Sequence, residues 1–368
     1  MAFFLESTFL GLWLFGWDRL PKRVHLACIW AVSLGTLLSA MFILMANSWM
    51  QHPVGYKFNK AGQPVLSNVW ALFVNPTFMW GYAHVVLASL VTGCLVMLAV
   101  SAWYMRKQRH VESFHRTAKV ALIVLIPAIV IQLSVGNKLG EIEGQYQPMK
   151  IAAAESLWNS CQPCSFSAAQ IGGFSQSDQN ATKIIPIPHL LSVLATGTWS
   201  GPVTGLNQLQ AQYQRKYGPG NYIPNVAIQY WSMRVMAYLG SLVLLLALWG
   251  GWLLVRGKLR SSKVFLWLGV WAVITPFLMN TAGWLLTENG RQPWIVQGLQ
   301  KTVNANSPSV SATDIWISLT AFVLAYIALA ILDLGLMLRY SRRGLAQADA
   351  EVAGAPDASA GPLPTPSY

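Results

Sequence analysis

Six apolar stretches, each long enough to cross a bilayer, constrain this chain more than any other feature. They lie at about 25–47, 80–104, 117–135, 229–255, 264–287 and 313–338 of the 368 residues. In lipid every backbone polar group must be satisfied internally, so stretches of this length read as helices. The expected fold is all-α: a polytopic transmembrane helical bundle. A further apolar run opens the chain at Met1 and ends near Trp17. No basic segment precedes it and no small-residue cleavage site follows, so it is not a signal peptide. At about 17 residues it is marginal for a span. It reads as a partial N-terminal span, the second half of a helix. Charged residues make up only 10% of the chain, against about 25% in soluble domains.

The formal charge of +12 is explained by where the basic residues sit. Arg19, Lys22 and Arg23 form one group, and Arg106, Lys107, Arg109, Arg116 and Lys119 a second. Arg256, Lys258, Arg260 and Lys263 form a third, and Arg339, Arg342 and Arg343 a fourth. Together they are 15 of the 25 Lys and Arg residues, all close to the ends of apolar stretches. The positive-inside rule makes these loops cytoplasmic. Residues 48–79, 136–228 and 288–312 then face outward, and the protein is expected to be a multi-pass membrane component. No basic stripe interleaved with aromatics is present, which argues against nucleic acid. The chain divides into N-terminal transmembrane helices at 1–135, incomplete at the start, and an outward polar loop at 136–228. C-terminal transmembrane helices follow at 229–343. The tail at 344–368 is rich in Ala, Pro, Ser and Gly and is expected to have no fixed structure. There is no internal repeat. Cys28 and Cys94 read as core residues. Cys161 and Cys164, in a polar Cys-Gln-Pro-Cys segment, read as a disulfide or two free thiols, since a second pair for a metal is lacking.

The chemistry concentrates at Gly283–Trp294, which reads GWLLTENGRQPW. An ionisable group at membrane depth is costly and marks a functional site by default. Glu288 and Arg291, three residues apart, fall near one face of a helix end. Trp and Arg also settle at the headgroup level, but anchoring leaves Glu288 unexplained. His84 and Met236 lie near the outward ends of two different stretches, at similar depth. An imidazole and a thioether can together ligate a haem iron. Arg234, closer to the surface, can pair with a haem propionate. Taken singly, His84 is a satisfied polar residue and Met236 is core filler. Trp284, a turn deeper than Glu288, packs between cofactors or is an ordinary aromatic contact. Glu6 lies deep in an apolar segment. With Ser7 and Ser39 it makes a polar file of the kind that relays protons.

With these residues in view, the chain resembles subunit I of the cytochrome bd-type quinol oxidases. The resemblance rests on Met1–Leu20 (MAFFLESTFLGLWLFGWDRL), Ser101–Met105 (SAWYM), Gln147–Trp158 (QPMKIAAAESLW), Met233–Met236 (MRVM) and the Gly283–Trp294 signature. It implies a membrane oxidase subunit that oxidises ubiquinol or menaquinol at an outward loop and reduces O2 to water. It implies a low-spin haem b, a high-spin haem b and a haem d. It also implies a partner subunit II and, in some members, a small accessory subunit. His84 and Met236 correspond to the axial pair of the low-spin haem b. Glu288 corresponds to a ligand of the high-spin pair, and Arg234 and Arg291 to residues near propionates. Trp284 corresponds to an indole between cofactors, and Asn47 to a polar residue beside the oxygen site. Glu6, Ser7 and Ser39 correspond to the proton route from the cytoplasm. Loop 136–228 corresponds to the quinol loop of the short-loop branch.

Two departures accompany the resemblance. Family members carry further helices before the position of Met1, with an axial His and a second acid that have no counterpart here. The expectation is therefore an N-terminally truncated subunit I that does not complete the oxygen-reducing centre alone. A lysine that longer-loop members use near the quinol is Asn207 here. Two other readings stay open: a truncated subunit holding only the low-spin haem, and an ion or proton transporter using Glu6 and Glu288.

Overall fold

The computed structural model describes residues 2–343. The tail assigned above to 344–368 lies outside the described residues. Helix α1 (Ala2–Phe15) is short and apolar and packs on α2 (Lys22–Gln51). A hairpin of β1 (Tyr56–Phe58) and β2 (Pro64–Leu66) and a single helical turn, α3 (Trp70–Phe73), lead to α4 (Pro76–Arg106). Asn75 caps α4, its side chain accepting from the Thr77 amide, as an N-cap residue should. Helix α5 (Val111–Tyr146) returns alongside α4.

The connection to the next span is folded. It contains α6 (Pro148–Ala154), the strands β3 (Phe166–Ser167), β4 (Gln170–Gly172), β5 (Ala181–Lys183) and β6 (Pro186–Ile187), then α7 (Leu190–Thr196) and α8 (Leu206–Tyr217). Strands β3 with β6, and β4 with β5, form one antiparallel hairpin. The Cys161–Cys164 alternatives resolve as a disulfide, and Cys161 bridges to Val203 next to it. Helix α9 (Val226–Val255) starts from an Asn225 cap. The following span is broken into α10 (Lys263–Trp271), a 3-10 turn at Ala272–Ile274 and α11 (Thr275–Arg291). The short strands β7 (Trp294–Val296) and β8 (Gln300–Lys301) precede α12 (Ala312–Arg343).

Among the described residues, six helices are long and apolar enough to cross a membrane, with the α10–α11 pair counted as one. The fold is thus the expected helical membrane bundle. Boundaries differ in one informative place. The apolar run at 117–135 ends at Gly136, but α5 continues to Tyr146, so the connection runs from Gln147 to Asn225. Residues 136–146 are polar rather than helix-breaking, and Lys138 pairs with Glu141 one turn on. Apolar periodicity reports the lipid boundary and not the end of the helix. The core is built by α4, α5, α9 and α10 around Leu95, Leu98, Leu122, Leu125, Ala247 and Phe265. At Gly250 a Cβ would come within 2.7 Å of the Phe265 ring and 2.8 Å of Leu122. Only glycine lets α9 lie this close to α5 and α10.

Candidate functional site

The end of α11 is tied by hydrogen bonds to three other helices. Glu288 Oε2 accepts from the Arg291 guanidinium one turn on. Its Oε1 accepts from Asn47 Nδ2 of α2 at 2.9 Å. Asn47 Oδ1 in turn accepts from Gln51 Nε2 at 2.6 Å, one turn along α2. Gln51 Oε1 accepts from Lys150 Nζ of α6 at 2.8 Å, and the same ammonium bonds Glu143 Oε1 of α5 at 3.0 Å. The result is an unbroken polar chain, Arg291–Glu288–Asn47–Gln51–Lys150–Glu143. Lys150 is fully buried, which a charge tolerates only when paired and hydrogen-bonded. Gly290 makes room for it, since a Cβ there would fall 2.4 Å from Lys150 Cγ and from Gln229 Nε2.

Beside this chain lies a cavity of ≈ 10 Å³ lined by Gln147, Lys150, Arg291 and Trp294. Gln147 Oε1, Arg291 Nε and Nη1, and Trp294 Nε1 are buried without partners. Buried polar groups are normally satisfied, so such a cluster marks a missing polar ligand or water. Trp284, also on α11, is 45% exposed on the bundle surface.

His84 projects from α4 toward α5. Its Nε2 lies 3.1 Å from Gln132 Nε2, while His84 Nδ1 and Gln132 Oε1 are buried without partners. Gly136 faces the ring: a Cβ there would lie 3.3 Å from His84 Cε1. Met236 of α9 faces Gly283 of α11, where a Cβ would lie 3.3 Å from the sulfur. Each side chain therefore meets a glycine on a neighbouring helix, close against its head group.

Arg234 is engaged elsewhere than at the Glu288 chain. Its guanidinium bonds Glu155 Oε2 at 2.9 Å and the carbonyls of Ser167 and Ala154, and stacks on Tyr230 at 3.6 Å. Nε keeps one unpartnered N–H. Burial pushes the Glu155 carboxyl up, and Arg234 opposes that shift. In Arg234→Met the opposition is gone and the carboxyl rises further. A raised native pKa means that the folded state binds more protons, so stability falls as pH rises above the ordinary carboxylate range. The expected loss is about 3–5 kcal/mol for a broken buried pair, larger at pH 8 than at pH 5. Thermal unfolding of the detergent-purified protein at the two pH values checks it; an equal loss at both would sink the pairing argument.

Glu6 sits where α1 touches α2: a Cβ at Gly35 would lie 3.0 Å from the Glu6 amide nitrogen. Ser39 follows Gly35 by one turn on α2. Ser7 Oγ bonds back to the Phe3 carbonyl of its own helix. The structure thus brings Glu288, Arg291 and Asn47 together, and Glu6 near the Ser39 face of α2. It keeps Arg234 in a separate cluster.

A family model for the cytochrome bd terminal oxidase subunit I matches residues 1–345. The chain belongs to that family. Cytochrome bd ubiquinol oxidase subunit 1 of Bacillus subtilis is 41% identical over 94% of this chain and 73% of its own length. The cytochrome bd-II ubiquinol oxidase subunit 1 of Escherichia coli is 31% identical over 94% of this chain and 78% of its own. The bd oxidase structure from Geobacillus thermodenitrificans superposes with a TM-score of 0.80 at 29% identity. It covers 93% of this chain and 76% of that one. Membership in a cytochrome family implies haem, and the residues fit it. The imidazole nitrogen without a partner, the glycines facing His84 and Met236, and the unsatisfied donors of Arg291 and Trp294 are what a haem and its acidic groups would fill.

Sequence reasoning missed Lys150, Glu143, Gln51, Gln132 and Glu155. Lys150 and Glu155 did leave a signal, as two charges set in the Ala-rich run Gln147–Trp158. Gln132 stands alone in an apolar stretch, and nothing in its spacing ties it to His84.

Proposed function

We propose that this chain is the haem-bearing subunit I of a terminal quinol oxidase. It takes electrons from ubiquinol or menaquinol at the 136–228 loop, on the outer side of the membrane, and passes them to O2. The observation that carries the reading is the pairing of Glu288 with Asn47 across 241 positions of sequence, at the end of a buried polar chain. Haem, when bound, supplies one-electron transfer and an open iron position for O2. His84 and Met236 would hold the low-spin haem b. Glu288 would hold a haem of the high-spin pair, a haem b and a haem d. Gln132, beside the imidazole, would fix its orientation, as an outer-shell partner does for a ligating histidine. The free Arg291 N–H groups and Trp294 Nε1 would bind acidic propionates, and Arg234 Nε has one donor to offer another. Trp284 would pack between cofactors.

Within the protein, Lys150 Nζ and Arg291 hold positive charge at the two ends of the Glu288–Asn47–Gln51 series. Arg291 and Asn47 hold the Glu288 carboxylate in a fixed orientation. Glu6, with Ser7 and Ser39, would take up protons from the cytoplasmic side. The proposed organisation is a first set of helices ending at Tyr146, an outward connection over 147–225 and a second set from Val226. Subunit II and a small accessory subunit are the protein partners. The test is a reduced-minus-oxidised spectrum of the purified complex with quinol-driven oxygen uptake. The expected result is haem b and haem d bands with uptake; a complex without haem bands would remove the assignment.

A further inference from the structure

The segment Cys161-Gln162-Pro163-Cys164 plays no part in the chemistry described so far. Its cysteines form a disulfide across three positions of sequence. A disulfide restrains the unfolded chain more the longer the loop it closes, and a loop this short restrains it least. Nor does the bond join separate elements. Cys161 and Val203 already exchange both backbone hydrogen bonds, at 3.2 and 3.1 Å. The Cys164 amide donates to Ser192 Oγ at 2.8 Å, and that hydroxyl donates to the Gly201 carbonyl at 2.7 Å. Cys164 also packs in a cluster with Phe166, Leu191 and Val203. None of these contacts needs the S–S bond. The segment is held at both ends without it, so stability gives little reason for the bond to be there.

The two cysteines differ in access. Cys164 is 0% exposed, whereas Cys161 is half-buried and Gln162 and Pro163 beside it are exposed. The Lys183 ammonium bonds the Ser165 carbonyl at 3.1 Å and Ser165 Oγ at 3.0 Å. A cation thus sits against the residue that follows Cys164. A neighbouring cation favours the thiolate, and a thiol that ionises readily leaves faster in exchange. The pair has an accessible sulfur to be attacked and a buried one to leave.

We propose that Cys161–Cys164 is a thiol–disulfide exchange site that accepts electrons from an external dithiol, with Cys161 attacked and Cys164 leaving. A thiolate of the dithiol attacks Cys161 Sγ and the Cys161–Cys164 bond breaks. Its electron pair goes to Cys164 Sγ, which takes up a proton. The second thiol of the dithiol, losing its proton, then attacks the mixed disulfide and releases Cys161 as a thiol. The dithiol is oxidised to a disulfide and this pair is reduced to two thiols. A persisting disulfide belongs on the oxidising side of a membrane. That agrees with the outward placement of this connection and is independent of its haem and quinol chemistry.

The test uses the purified complex, treated with dithiothreitol without denaturant, alkylated and mapped by peptide mass. Cys161 and Cys164 should both be alkylated while the circular dichroism is unchanged. Cys28 and Cys94, both buried, report any unfolding. Glutathione in place of dithiothreitol should leave its mixed disulfide on Cys161. In single variants, the Cys161 thiol of Cys164→Ser should alkylate on the order of ten-fold faster than the Cys164 thiol of Cys161→Ser. Reduction only after denaturation, or loss of the circular dichroism signal on reduction, would make the disulfide a structural clasp. A mixed disulfide on Cys164, or equal alkylation rates in the two variants, would remove the assigned roles. Each of these results overturns the proposal.

Discussion

Replacing His84 by Ala, or Met236 by Leu, is expected to abolish the low-spin haem b spectrum while the protein stays folded. The two side chains lie on different helices and each faces a glycine, Gly136 and Gly283. Met→Leu conserves volume and apolarity and typically costs less than about 1.5 kcal/mol. What it removes is the thioether, a ligand that raises the potential of a histidine-ligated haem. The measurement is a reduced-minus-oxidised spectrum of the purified variant beside its circular dichroism. A normal low-spin signal in either variant would withdraw that residue from the assignment. Gln132→Leu offers a graded companion. The haem should remain, with a reduction potential moved from the unsubstituted value, because an outer-shell partner of the imidazole has gone.

Glu288→Ala is expected to remove the high-spin haem signals and spare the low-spin haem. The effect should be large because the carboxylate holds two partners at once, Asn47 and Arg291. Arg291 is only 8% exposed and keeps two other buried donors without partners. Removing Glu288 leaves that cation without its carboxylate, at a stability cost tempered by the 39% exposure of the Glu288 side chain. Glu288→Gln separates the roles. It retains a side chain that can bond Asn47 but has no charge to offer a metal or Arg291. High-spin signals lost in both variants, with the low-spin haem intact, support a ligand role. Loss of every haem in both variants would point to folding instead.

The spans were legible because lipid imposes a rule that composition cannot evade, but the helix starts at the Asn75 and Asn225 caps lie a few residues before the apolar runs that marked them. The break between α10 and α11 was written in Thr275–Pro276, since Pro removes a backbone donor and clashes with the preceding turn. An uninterrupted apolar run hid it. The site was half legible. Glu288 and Arg291 stand out as charges at the end of an apolar stretch, Asn47 came only with the family resemblance, and the fold joins the three. Lys150 marked itself only as a charge in an Ala-rich run, because its partner Gln51 lies about a hundred positions away, and Glu143 takes its meaning from Lys150. Glu155 and Arg234 form their pair across a similar gap. Long-range polar pairing leaves no periodic trace, so buried charges in folded connections are where sequence patterning is blind.

The Glu288 site also bears on how the protein enters its membrane. Lys263–Arg291 has the lowest mean hydropathy of the six spans, 1.6, against 2.0 to 2.4 for the others. Its apolar stretch is interrupted by Pro276 and Asn280, and Glu288 and Arg291 add charge at its end. Taken alone, this segment partitions from the translocon into lipid less readily than its neighbours. Helix α9 precedes it and packs along α11. Gln229 of α9 bonds the Leu286 carbonyl and accepts from Asn289. The two segments are therefore suited to leave the translocon together as a hairpin, with α9 shielding the polar groups of its successor during synthesis.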